Sequence, residues 1–352
     1  MPDDNASPAP RRSARARPKS PPPVAVHVVR GDMIESRHRA SIAVVDADGT
    51  IIESHGDVTV PVYPRSAIKP IQALPVVETG AADRFAMTGP ELALACASHG
   101  GEPAHVETVA ALLKRIGCSV ADLACGAHPP YHVPSAHALI RAGAAPSALH
   151  NNCSGKHAAM LATARHMGEP IRDYIAPDHP VQRRVVRTFE EMCGVDLSRA
   201  PRGIDGCSLP QIGIPLSALA RGIARFGAPD ALPRERAAAC RRLAAAMTAN
   251  PMMVAGTGRF CTAAMEIAAG KAIVKTGAEG MYMAAIPARG IGIALKIEDG
   301  AARAAEVALA ALLVRYADLD EAQRARLSSL LEPPVQNVNG WRVGRIAPAS
   351  GL

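Results

Sequence analysis

Strand-like segments lie near both ends of this chain, and a long helical block separates them. Near the start, residues 24–30 and 41–54 are rich in Val and Ile, and an Asp-Gly pair at 48–49 interrupts the second stretch as hairpin turns do. Towards the end, residues 271–286 and 291–300 have the same character, with Gly at the turns. The most economical fold joins these segments in one sheet and places the helices in a second region.

The helical block extends from about residue 64 to 250. Within residues 103–117, apolar side chains recur at helical spacing, and Gly117 predicts the end of that helix. The residues on its apolar face are Val106, Val109, Leu113 and Ile116. Further helices are predicted at 155–167, 178–194, 214–227, 233–249 and 301–317.

These elements predict an α+β fold with an antiparallel sheet drawn from residues 25–60 and 255–352 and a mainly helical region at 64–250. The order matches the serine β-lactamase and penicillin-binding architecture, in which a helical domain lies between two portions of one sheet. We expect a single catalytic domain over residues 25–352. Because unrelated functions share a fold, function has to be argued from the site residues.

Residues 1–24 differ from the rest of the chain in composition. They contain seven prolines and five basic side chains against two acidic ones, which predicts a disordered basic tail. The tail carries +3 of the net charge of +7, so the body is only mildly basic. With 3% aromatic residues and no basic-aromatic interleaving outside the tail, we expect no nucleic-acid partner.

Membrane and secretion signals are missing from the sequence pattern. No apolar stretch of about 7–15 residues follows the basic residues of the tail, and no run of about 18 uncharged apolar residues occurs. We therefore expect a cytoplasmic protein without a membrane span. The eight cysteines are then better explained as thiols than as a disulfide framework.

A Ser-x-x-Lys pair, Ser66 and Lys69, precedes an apolar run. Residues three apart on a helical turn share a face, so the lysine could activate the serine as a nucleophile. An N-capping serine beside a solvated lysine explains the pattern equally well. Pro70 disfavours helical geometry at the lysine, which predicts that a helix begins near the pair rather than containing it.

Two further short motifs follow in the order found in penicillin-binding enzymes. Ser98-His99-Gly100 lies where a second polar motif is expected, and Lys275-Thr276-Gly277 lies on a predicted strand. Each has an ordinary explanation, since Ser98 could cap a helix and Lys275 could be solvated. All three motifs in this order favour a catalytic site.

Thiol, amine and carboxylate side chains are concentrated in residues 151–161 and 203–215. Thiolate together with nitrogen donors favours zinc. The alternative is a pair of buried thiols beside turn glycines, since the spacing is not that of a zinc finger. The side chains concerned are Cys153, Lys156, His157, Asp205 and Cys207.

Seven short motifs occur along the chain from about residue 25 onwards. They are R-S-x-x-K-P-x-Q-A-L-P at 65–75, C-A-S-H-G-G-E-P-x-H at 96–105, C-G-x-H-x-P at 125–130, N-C-S-G-K-H at 152–157, G-I-D-G-C-S-L-P at 203–210, G-x-G-R-F-C-T at 256–262 and K-T-G-A-E-G at 275–280. In these motifs the chain resembles the asparaginase II family, the rhizobial-type or class 3 L-asparaginases. The resemblance implies a β-lactamase/glutaminase-like fold, a homodimer and hydrolysis of L-asparagine to L-aspartate and ammonia.

The resemblance also implies roles for individual residues. Two serine–lysine pairs are expected, Ser66 with Lys69 and Ser98 with Lys275. A zinc ion (Zn²⁺) would bind between Cys153, Lys156 and Cys207. The residues expected to contact the substrate are Arg65, His99, Asn152 and Asp205.

Ser66 is the nucleophile that we favour from sequence, because its lysine is the nearest chain neighbour and the apolar run would desolvate the amine. Ser98 is the alternative. Backbone amides of Gly100, Gly101 or Gly277 could stabilise the oxyanion.

Three other functions stay open. A penicillin-recognising serine enzyme fits the motif order, but it would have to leave the cytoplasm. A glutaminase needs room for one more methylene, worth roughly 1–3 kcal/mol of discrimination. A non-catalytic amino-acid sensor is a third possibility, although binding alone requires no activated serine.

Overall fold

A computed structural model describes residues 20–352 of the chain. Its main element is an eight-stranded sheet, and two short strand pairs lie outside it. The strands are β1 (Val24–Arg30), β2 (Met33–Asp46), β3 (Ile51–His55), β4 (Pro61–Val62), β5 (Arg202–Ile204), β6 (Pro210–Ile212), β7 (Ile214–Pro215), β8 (Ile273–Thr276), β9 (Met281–Ile286), β10 (Ile291–Ile297), β11 (Pro334–Gln336) and β12 (Arg342–Pro348).

The large sheet is antiparallel and combines both chain ends. Its order is β11-β12-β1-β2-β10-β9-β8, and β3 also pairs with β2. The long strand β2 joins the two ends, because it pairs with β1 over its first half and with the late strand β10 over residues 40–46. The predicted α+β fold with one antiparallel sheet from both chain ends is confirmed.

Most helices lie, in the sequence, between the strands near the start of the chain and those near its end. They are α1 (Lys69–Gln72), α2 (Leu74–Glu78), α3 (Ala81–Arg84), α4 (Gly89–Ala95), α5 (Pro103–Arg115), α6 (Val133–Arg141), α7 (Ser154–Met167), α8 (Pro180–Cys193), α9 (Leu216–Gly227), α10 (Arg234–Ala249), α11 (Pro251–Val254), α12 (Phe260–Ala268), α13 (Ala302–Tyr316) and α14 (Glu321–Leu331). Short 3₁₀ turns occur at Arg65–Ile68, Val120–Asp122, Ala148–His150 and Pro287–Arg289.

Helices cover the central strands of the sheet. Every residue of β9 is buried, as is all of β10 except Lys296, so the sheet must be covered on both faces there. Both α9 and α13 pack against these two strands. At Gly292 of β10 an added Cβ would overlap the backbone of Ala220 in α9, so helix and strand approach each other as closely as a glycine permits.

The predicted elements mostly coincide with the observed ones. The hairpin over residues 48–49 is present, and the Asp46 side chain closes it by accepting hydrogen bonds from three backbone amides of the turn. The strand before this hairpin begins at Met33 rather than at 41, and the hairpin of β11 and β12 was not predicted. Most of the predicted tail, residues 1–19, lies outside the described residues, and β1 begins at Val24, the last residue assigned to the tail.

Candidate active site

A cavity of about 250 Å³ opens beside the edge strand β8. This volume lies just below the usual range for ligand sites, roughly 300–1,000 Å³, and suits a small substrate. Segments far apart in the sequence contribute to its walls, and most of the predicted site residues are among them. Those lining the cavity are Arg65, Ser66, Ser98, Asn152, Cys153, Asp205 and Cys207.

Ser98 lies in the loop after α4, and its side chain is the point where the predicted catalytic residues meet. Its backbone amide donates to the carbonyl of Val254 at 2.9 Å, which fixes the loop. Its Oγ lies 3.0 Å from Lys69 Nζ and 2.9 Å from Lys275 Nζ. All three side chains are buried, so these contacts are shielded from water.

Lys69 is oriented by three acceptors. Its Nζ donates to the carbonyl of Ala97 at 2.6 Å, to Cys153 Sγ at 3.1 Å and to Ser98 Oγ. An ammonium group has three N–H donors, so this set accommodates a protonated lysine completely. Helix α1 begins at Lys69 with Pro70 in its first turn, as the sequence predicted.

Lys275 lies at the end of β8, on the other side of the Ser98 hydroxyl. Its Nζ also lies 2.8 Å from the carbonyl of Thr276. Burial, and after it the positive charge of Lys69, lowers the pKa of Lys275 from 10.5 to about 7. Near neutral pH, therefore, an appreciable fraction of this lysine is a neutral amine that can accept the hydroxyl proton of Ser98.

Ser66 lines the same cavity but has different neighbours. It lies in the 3₁₀ turn at Arg65–Ile68, and the hydrogen bonds found within residues 20–352 include none between its hydroxyl and Lys69. Lys69 instead reaches Ser98, which is 29 residues away in the sequence. The loop after β8 presses on the Ser66 turn, because a Cβ at Gly277 would lie 2.9 Å from the carbonyl oxygen of Pro64.

The predicted zinc ligands come together from two segments. Cys153 directly precedes α7 and Lys156 lies in its first turn, whereas Cys207 lies in the turn between β5 and β6. Lys156 Nζ donates to Cys207 Sγ at 3.1 Å. In the same turn, Asp205 Oδ1 accepts from Arg65 Nε at 2.9 Å and its Oδ2 lies 3.6 Å from Cys207 Sγ.

The charges of this cluster depend on one another. A hydrogen bond from Cys207, together with the positive charges of Lys156 and Lys69, holds the pKa of Cys153 well below that of an ordinary thiol despite its burial. Burial by itself would lower the pKa of Lys156, but the charges of Cys153, Cys207 and Asp205 outweigh burial and raise it. A thiolate beside a protonated lysine is the resulting state.

In the described part of the chain, the side chains that most often bind metals do not extend the cluster of Cys153, Lys156 and Cys207. Within residues 20–352, no group of three or more His, Cys, Asp or Glu side chains is placed to hold a metal ion. His157, which was considered with the cluster, is buried and bonds through Nδ1 to the Tyr174 hydroxyl at 2.6 Å. The zinc site therefore stays a prediction that depends on lysine as a ligand.

His99 and Asn152 differ in their access to the cavity. Asn152 lines it, whereas His99 is fully buried and stacks on His105 with ring centroids 4.8 Å apart. Its Nδ1 accepts from the amide of Gly101 at 3.1 Å, and its Nε2 lies 2.9 Å from Ser154 Oγ. Burial lowers the pKa of His99 well below its usual value, so the ring is a neutral group that holds the loop.

Two of the three predicted oxyanion donors are used within the protein. The amide of Gly101 donates to His99, and the amide of Gly277 donates to the carbonyl of Met281 at 2.6 Å. Neither amide is free to bind a developing oxyanion. The sequence-based prediction was wrong for these two glycines, because a glycine in a motif does not reveal which acceptor its amide already has, whereas Gly100 stays a predicted donor.

Among the other cavity residues, His128, Tyr131 and Arg259 have side chains that could contact a ligand, and the sequence analysis gave none of them a role in the site. His128 and Tyr131 line the cavity and stack on each other with ring centroids 4.6 Å apart. Arg259 also lines it, directly before α12. Arg259 could have been proposed from the sequence, because it lies inside the motif G-x-G-R-F-C-T at 256–262, and no residue of that motif had been given a catalytic or binding role.

A small polar cavity with a buried serine between two lysines is typical of enzymes that cleave amides or esters with an activated serine. Comparison with protein families identifies the group more closely. The model of the L-asparaginase II family matches residues 26–348, nearly the whole chain. The chain belongs to the L-asparaginase II family, which is a family of amidohydrolases.

Other comparisons concern individual proteins and the membrane. A search of curated proteins finds no match. Among solved structures, a β-lactamase from Mycobacterium bovis is 14% identical, with 79% of this chain and 95% of that chain covered at a TM-score of 0.40. No helix within residues 20–352 has the length and hydropathy needed to cross a membrane.

Proposed function

We propose that this protein hydrolyses the side-chain amide of L-asparagine, releasing L-aspartate and ammonia, with Ser98 as the nucleophile. The observation that carries the proposal is the position of Ser98 Oγ, 3.0 Å from Lys69 Nζ and 2.9 Å from Lys275 Nζ at a cavity. Membership of the L-asparaginase II family supports the choice of substrate.

The two lysines have different roles in this mechanism. Lys275, as a neutral amine, takes the hydroxyl proton while Ser98 Oγ attacks the amide carbon of the substrate. It then returns the proton to the leaving nitrogen, so ammonia departs and an ester remains on Ser98. Lys69 stays an ammonium group whose hydrogen bond stabilises the negative charge that develops on the serine oxygen.

A water molecule completes the reaction. Lys275, again neutral after ammonia has left, takes a proton from the water as its oxygen attacks the ester carbon. The ester bond breaks, Ser98 regains its proton and L-aspartate is released.

Ser66 is the alternative nucleophile. It lines the cavity, which supports contact between its hydroxyl and the substrate. Lys69, however, directs its three N–H donors to other acceptors, and no hydrogen bond between this lysine and Ser66 is found within residues 20–352. We therefore assign Ser66 to substrate binding and Ser98 to attack.

The cluster at Cys153, Lys156 and Cys207 fits a zinc ion by its chemistry. Two sulfurs and one nitrogen are soft and borderline donors, and three protein ligands are the number found in zinc sites that keep a position for water or substrate. Cys153 is already held as a thiolate, and Lys156 would have to lose its proton on binding the metal. Zinc bound there would orient the polar groups of the substrate as a Lewis acid.

The proposal is tested by ammonia release from L-asparagine and L-glutamine, measured in parallel. We expect turnover of asparagine by the wild type, no measurable turnover by Ser98→Ala, and a raised KM with partial kcat for Ser66→Ala. Ser54→Ala, an exposed serine on β3, is the matched control and should behave as the wild type. Full activity of Ser98→Ala would refute the mechanism, and turnover of glutamine alone would make the chain a glutaminase.

Two properties of the whole molecule belong to the same proposal. The family resemblance leads us to expect a homodimer, which light scattering of the purified protein would detect. The composition leads us to expect a cytoplasmic location, which fractionation of the source cells would test.

A further inference from the structure

Arg259 is a cavity residue whose charge has no use in the mechanism above. Its side chain lines the cavity, yet the hydrogen bonds and ion pairs found within residues 20–352 include none made by its guanidinium group. The other cavity arginine, Arg65, is bonded to Asp205. Among the described residues, the nearest acidic influence is the carboxyl of Glu306, which feels the charge of Arg259 without forming an ion pair with it, so the five N–H donors of the guanidinium are left for a ligand.

The backbone before Arg259 is held firmly in place. Glu102 accepts from the amide of Thr257 at 2.8 Å and from its hydroxyl at 2.7 Å. On either side of Thr257, Gly256 and Gly258 have φ of +115° and +71°, values that favour glycine. These features fix the point from which the arginine side chain extends and reduce the backbone entropy that is lost when it binds a ligand.

The position of Arg259 relates it to the catalytic lysine. Arg259 lines the same cavity as Ser98 and as Thr276, the residue that follows Lys275. A ligand bound to the guanidinium would therefore lie near Ser98, which contacts the same lysine.

A planar guanidinium can bind the paired oxygens of a carboxylate or a phosphate through two parallel N–H donors. The side-chain amide of asparagine is neutral, so the α-carboxylate is the anionic group that the substrate offers. We propose that Arg259 binds the α-carboxylate of the substrate and so distinguishes amino-acid amides from simple amides. This inference rests on the proposed function, since it assumes an amino-acid substrate.

The test compares L-asparagine with β-alanine amide, which is the same molecule without the α-carboxylate. For Arg259→Gln we expect the ratio of kcat/KM between the two substrates to fall roughly 10- to 100-fold, the usual effect of one charge-assisted contact, mainly through the KM for asparagine. Arg259→Lys should restore part of this ratio because it keeps the charge. Arg187→Gln, an exposed arginine outside the cavity, is the matched control.

An unchanged ratio in Arg259→Gln, with a melting temperature like that of the wild type, would overturn the inference. If the wild type releases no ammonia from either compound, the proposed function fails, and calorimetry decides the inference separately. We would then expect wild-type protein to bind L-asparagine roughly 10- to 100-fold more tightly than Arg259→Gln. Equal binding, or no binding by either protein, would also overturn it.

Discussion

The role of Lys275 as the base can be tested by changing the pH and by changing the residue. The groups that act on this lysine are Lys69 and Arg259, which lower its pKa, and Cys261 and Cys153, which raise it, while burial is the largest influence. Because the pKa is about 7, activity should increase with pH until the lysine is largely neutral. Lys275→Arg keeps the positive charge but cannot lose its proton near neutral pH.

The size of the effect follows from the lowered pKa. At pH 7 a lysine with an ordinary pKa near 10.5 is neutral in only about 1 molecule in 3,000, whereas a pKa of about 7 makes about half of the molecules competent. A positioned general base contributes roughly 10²- to 10⁴-fold to the rate. We expect Lys275→Arg to lose activity by that factor and to show no increase in kcat/KM between pH 6 and 8.

The assay is initial-rate ammonia release between pH 5 and 9 at constant ionic strength. For the wild type, log(kcat/KM) should rise by one unit per pH unit and level off above about pH 7, the pKa of Lys275. A wild-type profile that is flat over this range would refute the reasoning. So would a Lys275→Arg enzyme with wild-type activity.

The same lowered pKa predicts a gain in stability when the lysine is removed. In the unfolded chain this lysine keeps its proton up to about pH 10.5, whereas in the folded protein it keeps it only up to about pH 7. Below pH 7 both states are protonated, and the folded protein is then destabilised by the full free-energy cost of burying the charged lysine. This cost is on the order of 5 kcal/mol and disappears as the pH rises towards 10.5. Lys275→Met should therefore be inactive but melt at a higher temperature than the wild type at pH 6, and the difference should shrink by pH 10. A lower melting temperature at pH 6 would show that the hydrogen bonds of Lys275 stabilise the folded protein by more than burial of its charge destabilises it.

The remaining predictions concern the metal and the packing of the sheet. Cys207→Ser should lower the zinc content of the purified protein, measured by atomic emission. Cys118→Ser, which changes a cysteine outside the cavity, should leave the zinc content unchanged. Equal zinc in both variants would exclude Cys207 as a ligand. Gly292→Ala should reduce the free energy of unfolding by about 1–3 kcal/mol, because the added methyl overlaps the backbone of Ala220. An unchanged denaturant midpoint would contradict the close packing of α9 on β10.

The fold could be predicted where one physical signal dominates. The helices at 103–115 and 154–167 have clear apolar periodicity or small buried residues, and both end beside a glycine in the left-handed conformation. The first half of β2 was missed because its residues M-I-E-S-R-H-R are mostly exposed or half-buried, so charged side chains hide the alternation. The hairpin of β11 and β12 was missed for the same reason.

The composition of the site was easier to predict than its contacts. Motifs identified Ser98, Lys69 and Lys275, and all three meet. Spacing of three residues, however, favoured Ser66 as the partner of Lys69. That rule assumes one continuous helix. Here the serine lies in a 3₁₀ turn and α1 begins at the lysine, so the two side chains do not share a helical face and the lysine bonds to other acceptors. His99 shows the same limit, because neighbours in an irregular loop need not face the same cavity.

The different surroundings of the two lysines explain why one serine can use both. If both were ammonium groups, Ser98 would have donors on each side and no base. Lys69 is prevented from being that base by its three acceptors, including the sulfur of Cys153, which suit a protonated group. Within residues 20–352, Lys275 Nζ has the carbonyl of Thr276 as its one partner besides Ser98. It is also buried and lies near the charge of Lys69. Burial and like charge therefore make Lys275 the lysine that loses its proton and serves Ser98 as the base.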